Sequence, residues 1–337
     1  MIYLDHASTS PASKAAIDAF NAALELANPS SLHEAGRRAA GLLEQSRAAI
    51  AECINASPDE IIFTSGGTEA NALALNVNGH RLSSELEHAS VRGNTDETAA
   101  FDKLPSAVRS DTKIVSCVYV CNENGTVQPV AELARELKKR GVPLHTDAVQ
   151  AFGKINCDVK ALGVDLMTLS AHKIGGIRGA GALYVRKGVR VVPFWRGGSQ
   201  ENGTRPGTEP LPLIAAFAAA AREKRTDTRP LLDYTLDILS KKLPEVKIVP
   251  GHDAPHILML ELPGCPGQVA VRMLSDMGIC VSTGSACSKG KTSPVPLALG
   301  VKHPESVIRL SFGAGNTKEE ADALAAALEA VLQRLGQ

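Results

Sequence analysis

The sequence predicts an α/β fold, with a mostly parallel sheet flanked by helices and a smaller α+β domain after it. Short apolar strands alternate with helical patterns between residues 61 and 186, and strands joined through helices form parallel sheets that are covered on both faces. A polar break at residues 226–230 follows an alanine-rich helical stretch. The 337 residues are enough for two domains. We therefore expect a large domain at residues 12–228 and a small domain formed by residues 1–11 and 229–337.

The individual elements are predicted from hydrophobic periodicity. In the large domain, strands are predicted at residues 61–64, 113–120, 143–147, 165–170 and 181–186. Helices are predicted there at residues 12–27, 34–55, 65–77, 130–140 and 213–225. The small domain is predicted to contain helices at residues 231–243, 269–277 and 318–335, and strands at residues 257–262 and 308–312.

The charge composition argues against two classes of partner. Lys plus Arg number 36 and Asp plus Glu number 36, so the formal net charge is zero. An extended surface for nucleic acid or for an anionic membrane is therefore not expected. The longest apolar runs are too short to span a bilayer, and the N-terminal residues lack the basic and apolar regions of a signal peptide. We expect a cytoplasmic enzyme.

The seven cysteines include one that differs from the rest. The number is odd and no C-x-x-C pair occurs, so we expect reduced thiols, no disulfide framework and no intrinsic metal site. Most should be small apolar fillers, as Cys117 is within a predicted strand. Cys287 instead lies among Ser, Thr, Gly, Ala and Lys residues at 282–291. Nearby lysines favour a thiolate, so we interpret Cys287 as a functional cysteine on an exposed loop.

Lys173 and Asp147 each stand at the C-terminal end of a predicted strand. Ligands bind at this edge of parallel sheets. A lysine there can form a Schiff base and then act as a base, although an isolated lysine at a strand end is more often solvated. A carboxylate there can pair with a cofactor's pyridine nitrogen, although Asp is also a common helix N-cap.

Three further features have a structural and a functional interpretation. Residues 65–69 read Ser-Gly-Gly-Thr-Glu between a strand and a helix, which is typical either of a phosphate-binding turn or of a capped helix. His88 could move protons, or be structural. Arg309 lies within a predicted strand, where it could face solvent or clamp a substrate carboxylate.

Taken together, these segments resemble the cysteine desulfurases of the class V aminotransferase family, which have pyridoxal-phosphate (PLP) fold type I. The resemblance covers nearly the whole chain. It rests on Asn-Pro-Ser-Ser at residues 28–31 with His33, Thr-Ser-Gly-Gly-Thr-Glu at 64–69, His-Thr-Asp-Ala-Val-Gln at 145–150, Ser-Ala-His-Lys at 170–173, Arg-Pro-Gly-Thr at 205–208, Ser-Thr-Gly-Ser-Ala-Cys at 282–287, and Ile-Arg-Leu-Ser-Phe-Gly at 308–313.

The resemblance implies a role for each matching residue. The residues implied in catalysis are Lys173, which would hold PLP covalently, His88, which would stack on its ring, and Cys287, which would carry the persulfide. The residues implied in cofactor binding are Asp147 at the ring nitrogen, Gln150 at the ring hydroxyl, Asn122 beside the cofactor, and Gly67, Thr68, Ser170 and His172 at the phosphate. Thr208 would complete the phosphate site of the neighbouring subunit, which implies a homodimer. The residues implied in substrate binding are Asn28, Asn122 and Arg309.

The implied reaction converts L-cysteine to L-alanine and passes sulfur from Cys287 to an acceptor, such as an iron–sulfur scaffold protein. An iron–sulfur cluster touching Cys287 would be transient and shared with that partner. Two alternatives remain open: a selenocysteine lyase or another PLP-dependent β-elimination enzyme, and a catalytically idle PLP-fold scaffold. Residues 89–112 are fewer than the family's usual helix and strand require, so we expect a trimmed sheet edge or a disordered segment there.

Overall fold

The computed structural model describes residues 1–284 and 293–335. The strands are β1 (Ile2–Tyr3), β2 (Ile61–Thr64), β3 (His80–Ser84), β4 (Glu97–Ala99), β5 (Thr112–Ser116), β6 (Leu144–Asp147), β7 (Leu166–Ser170), β8 (Gly181–Val185), β9 (Lys247–Ile248), β10 (Ile257–Glu261), β11 (Ile279–Cys280) and β12 (Val307–Ser311). The α-helices are α1 (Lys14–Ala23), α2 (Glu34–Cys53), α3 (Gly67–Ala74), α4 (Ala89–Arg92), α5 (Leu104–Ala107), α6 (Val130–Arg140), α7 (Val159–Leu162), α8 (Leu211–Arg222), α9 (Arg229–Lys242), α10 (Gly267–Asp276), α11 (Pro294–Ala298) and α12 (Lys318–Leu335). Cys287 and its neighbours lie outside the described residues.

Internal contacts divide the chain into two compact units. The small unit consists of Met1–Ser10, Val120–Val127 and Arg225–Gln337. The large unit consists of Pro11–Tyr119 and Gln128–Lys224.

The large unit is built on a seven-stranded sheet with the order β2-β8-β7-β6-β5-β3-β4. The neighbours from β7 to β4 are parallel, whereas β8 runs antiparallel to both β7 and β2. Strands β6 and β7 are buried along their whole length, as expected for strands with helices on both faces. This confirms the predicted fold class, with β8 running against the other six strands of this sheet.

Helix α6 shows how closely local sequence sets the elements of this unit. Val130, Leu133 and Leu137 are buried at helical spacing, and three basic residues occupy the last turn. The helix ends at Gly141, whose φ of 67° is the left-handed conformation that closes many helices. The predicted helix at residues 130–140 is confirmed.

The segment at residues 89–112 is ordered and forms a narrow edge to the sheet. It contains α4, the three-residue strand β4 and α5. Strand β4 pairs with β3 in parallel and is the last strand on that side. The expected trimmed sheet edge therefore describes this segment, and the alternative of a disordered segment is wrong.

The small unit packs helices against an antiparallel sheet with the order β12-β10-β9. Strand β1 pairs in parallel with β11, so the N-terminal residues belong to this unit. Helices α9, α10 and α12 bury apolar residues such as Leu239, Leu274 and Leu328 in one core with strand residues such as Leu260 and Leu310. Within the described ranges, no helix combines the length and apolarity needed to cross a membrane.

Candidate active site

Strands β6 and β7 of the large unit bring Asp147 and Lys173 to the same edge of the sheet. Asp147 is the last residue of β6, and its register partner on the parallel strand β7 is Thr168. Strand β7 ends at Ser170, and the chain then makes a short 3₁₀ turn that ends at Lys173. Because parallel strands end at a common edge, both side chains belong to the region where such folds bind ligands.

The Asp147 carboxylate is buried and is held by neutral donors. Its Oδ2 accepts a hydrogen bond from Asn71 Nδ2 at 2.7 Å, and its Oδ1 accepts one from the Val149 N–H at 2.9 Å. The residue is only 4% exposed, and no salt bridge to it occurs within residues 1–284 and 293–335. A buried carboxylate is costly unless a cation is added. This arrangement therefore suits a cationic ring nitrogen as its partner.

His88 immediately precedes helix α4 and acts as its N-cap. Its Nδ1 accepts the Ser90 N–H at 3.1 Å and lies 2.7 Å from Ser90 Oγ. Burial lowers the pKa of His88, the Asp147 carboxylate opposes this, and the positive charges of Lys173 and Arg92 lower the pKa further. The imidazole is therefore neutral around pH 7 and is oriented from its Nδ1 side.

A set of donors suited to an anion lies between helix α3 and strand β7. Ser170 is 1% exposed, and its Oγ has no hydrogen-bond partner among the described residues. Gly67 begins α3, and a Cβ added there would meet Val149 Cγ2 at 2.8 Å and come within 3.7 Å of Ser170 Cβ. Thr68, which follows, is exposed. Burial and the charges of Lys173 and Arg178 lower the pKa of His172 to about 4, so His172 is a neutral hydrogen-bonding group.

The remaining predicted residues of the large unit differ in exposure. Gln150 is buried in the turn after β6, with 5% exposure. Thr208 is exposed in the loop before α8. Asn28 is also exposed, and its Oδ1 accepts the Ser30 N–H at 2.8 Å, which stabilises the turn before α2.

Arg309 lies on strand β12 of the small unit and is engaged by its own chain. Its Nη1 donates to the Asn122 carbonyl at 2.8 Å and to the Gly284 carbonyl at 2.9 Å. Its Nη2 donates to Asp5 Oδ1 at 2.8 Å and to Ser8 Oγ at 2.7 Å. The side chain is 2% exposed, so the solvent-facing alternative is wrong. Among the described residues, Arg309 Nε remains without an acceptor, and the substrate-carboxylate role of Arg309 stays a prediction.

Sequence reasoning missed two buried groups beside Asp147. Asn71 is 1% exposed. The sequence feature that could have identified it is a lone amide side chain within the alanine-rich helix α3. Glu87 is also 1% exposed, and its Oε1 accepts the Ser84 hydroxyl at 2.7 Å and the Val118 N–H at 2.5 Å. Burial and the nearby Asp147 raise the pKa of Glu87 to about 8, so its carboxyl is protonated at neutral pH. The sequence feature that could have identified Glu87 is its position directly before His88.

Four of the six cysteines in the described part of the chain are buried, and the other two are accessible to solvent. Cys117, Cys121, Cys157 and Cys265 are buried, which confirms the prediction for Cys117. Burial raises the pKa of Cys157 to about 12 and that of Cys117 well above its ordinary value, so neither thiol ionises readily. Cys53 is exposed and Cys280 is half-buried.

The aminotransferase class-V family model matches residues 2–92 and 86–324 of the chain. The chain belongs to the aminotransferase class-V family. It is 36% identical to a NifS/IcsS protein homolog from Lactobacillus delbrueckii subsp. bulgaricus, with 100% of this chain and 98% of that protein covered. It is 34% identical to a cysteine desulfurase IscS from Dictyoglomus turgidum, with 99% of this chain and 95% of that protein covered.

Solved structures agree with this assignment. A NifS-like protein from Rickettsia africae superposes with a TM-score of 0.90 and 30% identity, covering 99% of each chain. A structure described as SspA in complex with cysteine superposes with a TM-score of 0.80 and 27% identity, covering 94% of this chain and 100% of the other. The predicted resemblance and fold are confirmed.

Proposed function

We propose that this protein is a PLP-dependent cysteine desulfurase. It converts L-cysteine and the Cys287 thiol to L-alanine and a Cys287 persulfide, so that the sulfur atom leaves the substrate and joins the enzyme. The acceptor downstream is an iron–sulfur scaffold or another protein that assembles a sulfur-containing cofactor. The observation that carries the proposal is the buried Asp147 carboxylate, which is held by neutral donors. It lies at the edge of the sheet where the neighbouring strand β7 leads into the turn that contains Lys173.

The donors of the large unit fit the three polar parts of PLP. The buried hydroxyl of Ser170 and the first N–H groups of α3, beginning at Gly67, suit the phosphate. Asp147 suits the protonated ring nitrogen, and Gln150 suits the ring hydroxyl. When bound, PLP supplies an electron sink for charge that develops on the substrate's α-carbon.

The protein groups have separate tasks in this reaction. The Lys173 amine binds the cofactor covalently and, once displaced by substrate, removes the α-proton. Arg309, Asn28 and Asn122 orient the substrate. Cys287 takes up the sulfur as a thiolate, which the neighbouring Lys289 and Lys291 favour.

The activity is tested by incubating the protein with PLP, L-cysteine and dithiothreitol while measuring sulfide and alanine together. Equal amounts of both are expected, and neither is expected from Lys173→Ala. Cys287→Ser should retain the absorbance of bound PLP yet produce no persulfide. Cys53→Ser is the matched control, because Cys53 is an exposed thiol and should be dispensable.

Two outcomes would overturn the proposal. Normal turnover by Cys287→Ser would remove the persulfide carrier from the scheme. Alanine formed from L-selenocysteine but not from L-cysteine would assign the protein to the selenocysteine lyases instead.

We further propose a homodimer in which Thr208 of each subunit binds the phosphate in the neighbouring site. Thr208 is exposed, and the segment before it exposes Val192, Phe194 and Trp195 at 48%, 43% and 54%. Apolar exposure of this kind is typical of a surface that pairs with another protein. Mixing Lys173→Ala with Thr208→Ala subunits should restore activity, because one site in each mixed dimer then has both residues intact. Absence of rescue in a mixture shown to exchange subunits would refute this arrangement.

A further inference from the structure

A chain of hydrogen bonds connects Asp147 to His88 through two residues with no assigned role. Asn71 Nδ2 lies 2.7 Å from Asp147 Oδ2 and 2.9 Å from Ser90 Oγ. Ser90 Oγ lies 2.7 Å from His88 Nδ1. Because Asn71 is 1% exposed and Asp147 4% exposed, water competes little for the bonds at this end.

The direction of each bond in this chain is fixed by chemistry. An ionised carboxylate only accepts, so the Asn71 amide must present its nitrogen to Asp147, and its second hydrogen then goes to Ser90 Oγ. The Ser90 hydroxyl has one proton, which is left to donate to His88 Nδ1. The Ser90 backbone N–H also donates to that nitrogen, at 3.1 Å.

Two donors therefore point at His88 Nδ1, and this nitrogen cannot itself carry a hydrogen without losing both bonds. The ring proton is left on Nε2. The alternative, an imidazolium with hydrogens on both nitrogens, would also add a third positive charge to those of Lys173 and Arg92, which oppose it, whereas the Asp147 carboxylate favours it.

We propose that Asn71 and Ser90 are positioning residues that hold His88 as the neutral tautomer with its proton on Nε2, and that tie this ring to the Asp147 carboxylate. His88 then offers a hydrogen-bond donor at Nε2 and has no lone pair there to accept a proton. It follows that the base which removes the substrate's α-proton is Lys173 and not His88. This consequence rests on the proposed function, whereas the tautomer does not.

The tautomer can be measured by nitrogen-15 NMR of the PLP-loaded protein labelled at histidine. The chain has nine histidines, and the His88 signals are assigned by their loss in His88→Gln. Near pH 7 we expect the chemical shift of a lone-pair nitrogen at Nδ1 and of a protonated nitrogen at Nε2. In Ser90→Ala, which removes one donor to Nδ1, the pKa of His88 should rise by about one unit, a roughly tenfold shift in its protonation equilibrium.

A double-mutant cycle separates the connected chain from independent effects. Asn71→Leu keeps the side-chain volume but removes both donated hydrogens. The change that Asn71→Leu causes in the His88 pKa should be clearly smaller in the Ser90→Ala background than in the native protein. Part of that change depends on the hydrogen bond from Asn71 to Ser90, which is already absent in Ser90→Ala. Ser83→Ala is the matched control, since Ser83 is a buried serine that pairs with Thr95 instead, at 3.0 Å, and it should leave the His88 signals unchanged.

Three results would overturn the proposal: a proton on His88 Nδ1 near pH 7, an unchanged His88 pKa in Ser90→Ala, or additive effects in the cycle. Should Asn71→Leu fail to fold, the first two measurements still decide. None of them requires turnover, so an inactive protein with the expected tautomer would refute the desulfurase alone. An active protein with the other tautomer would refute only the positioning role.

Discussion

Asp147 in the large unit and Arg309 in the small unit are both buried charges, but they are stabilised in opposite ways. Arg309 is paired with Asp5 and donates to two carbonyls and a hydroxyl of its own chain. Asp147 accepts bonds from neutral donors and makes no ion pair in the described part of the chain. A charge satisfied internally supports the fold, whereas a charge left without a counterion is suited to a cation that arrives later.

The largest expected effect is on folding, from Arg309→Met. The substitution leaves Asp5 without its partner and the Asn122 and Gly284 carbonyls without a donor. Breaking a buried pair costs roughly 3–5 kcal/mol in free energy of unfolding, measurable by urea denaturation. The control is Arg186→Met, because Arg186 forms an exposed pair with Asp165 that is worth about 1 kcal/mol at most. Equal losses of unfolding free energy in the two variants would show that the internal contacts of Arg309 contribute no more to stability than an exposed ion pair.

Asp147→Asn should show the reverse pattern, with activity lost and stability kept. The amide keeps the shape but removes the negative charge that stabilises a protonated ring, so kcat/KM should fall about 100-fold or more. The free energy of unfolding should stay the same or rise, since a buried unpaired charge is removed. Asp158→Asn is the control, because Asp158 is a half-buried helix N-cap outside the candidate site. A stability loss as large as that of Arg309→Met would show that Asp147 is a structural residue.

Glu87 extends the comparison to a buried carboxyl that is neutral. Its pKa rises from 4.5 to about 8 on folding, so between these values the unfolded chain releases a proton that the folded chain keeps. Between these two pKa values the free energy of unfolding should therefore fall as pH rises, by up to about 1.4 kcal/mol per pH unit. Below the lower pKa Glu87 should not destabilise the fold, and above the higher pKa its destabilising effect should no longer change with pH. Glu87→Gln should abolish this slope, whereas Glu136→Gln, on an exposed helix position, should retain it. An unchanged slope in Glu87→Gln would show that Glu87 is ionised.

The smallest effect concerns the hydroxyl of Ser170, which has no hydrogen-bond partner within residues 1–284 and 293–335. Ser170→Ala should weaken PLP binding about tenfold, which corresponds to one hydrogen bond, while the free energy of unfolding hardly changes. Ser83→Ala should do the opposite, because its hydroxyl is already paired with Thr95. Fluorescence titration with PLP and urea denaturation measure the two quantities. Equal PLP affinity in Ser170→Ala and the native protein would remove Ser170 from the phosphate site.

Strands with apolar or β-branched runs could be predicted from the sequence, but β3 could not. Its residues His80, Ser83 and Ser84 are buried although they are polar. Each forms a side-chain hydrogen bond with a residue outside the strand: His80 with Thr112, Ser83 with Thr95, and Ser84 with Glu87. Periodicity records only where apolar residues fall, so it does not identify a strand whose burial depends on such pairs.

The candidate site shows the same division. Asp147 and Lys173 could be singled out because each lies at the end of a recognisable strand, whereas Ser170 was assigned a role only through the family resemblance. Asn71 could not, because its role depends on a contact with Asp147 across 76 positions of the sequence. For Arg309 the sequence allowed two orientations, and only the contacts of β12 with residues near the N-terminus decided between them.

The contact of Asp5 with Arg309 spans 304 residues of the chain, and this has a consequence for synthesis on the ribosome. Strand β1 cannot pair with β11, nor Asp5 with Arg309, until the residues at 279–309 have been synthesised. Contacts of such sequence separation form late, because closing a long loop costs entropy before any contact offsets it. The residues around β1 are therefore synthesised long before they can reach their place in the fold.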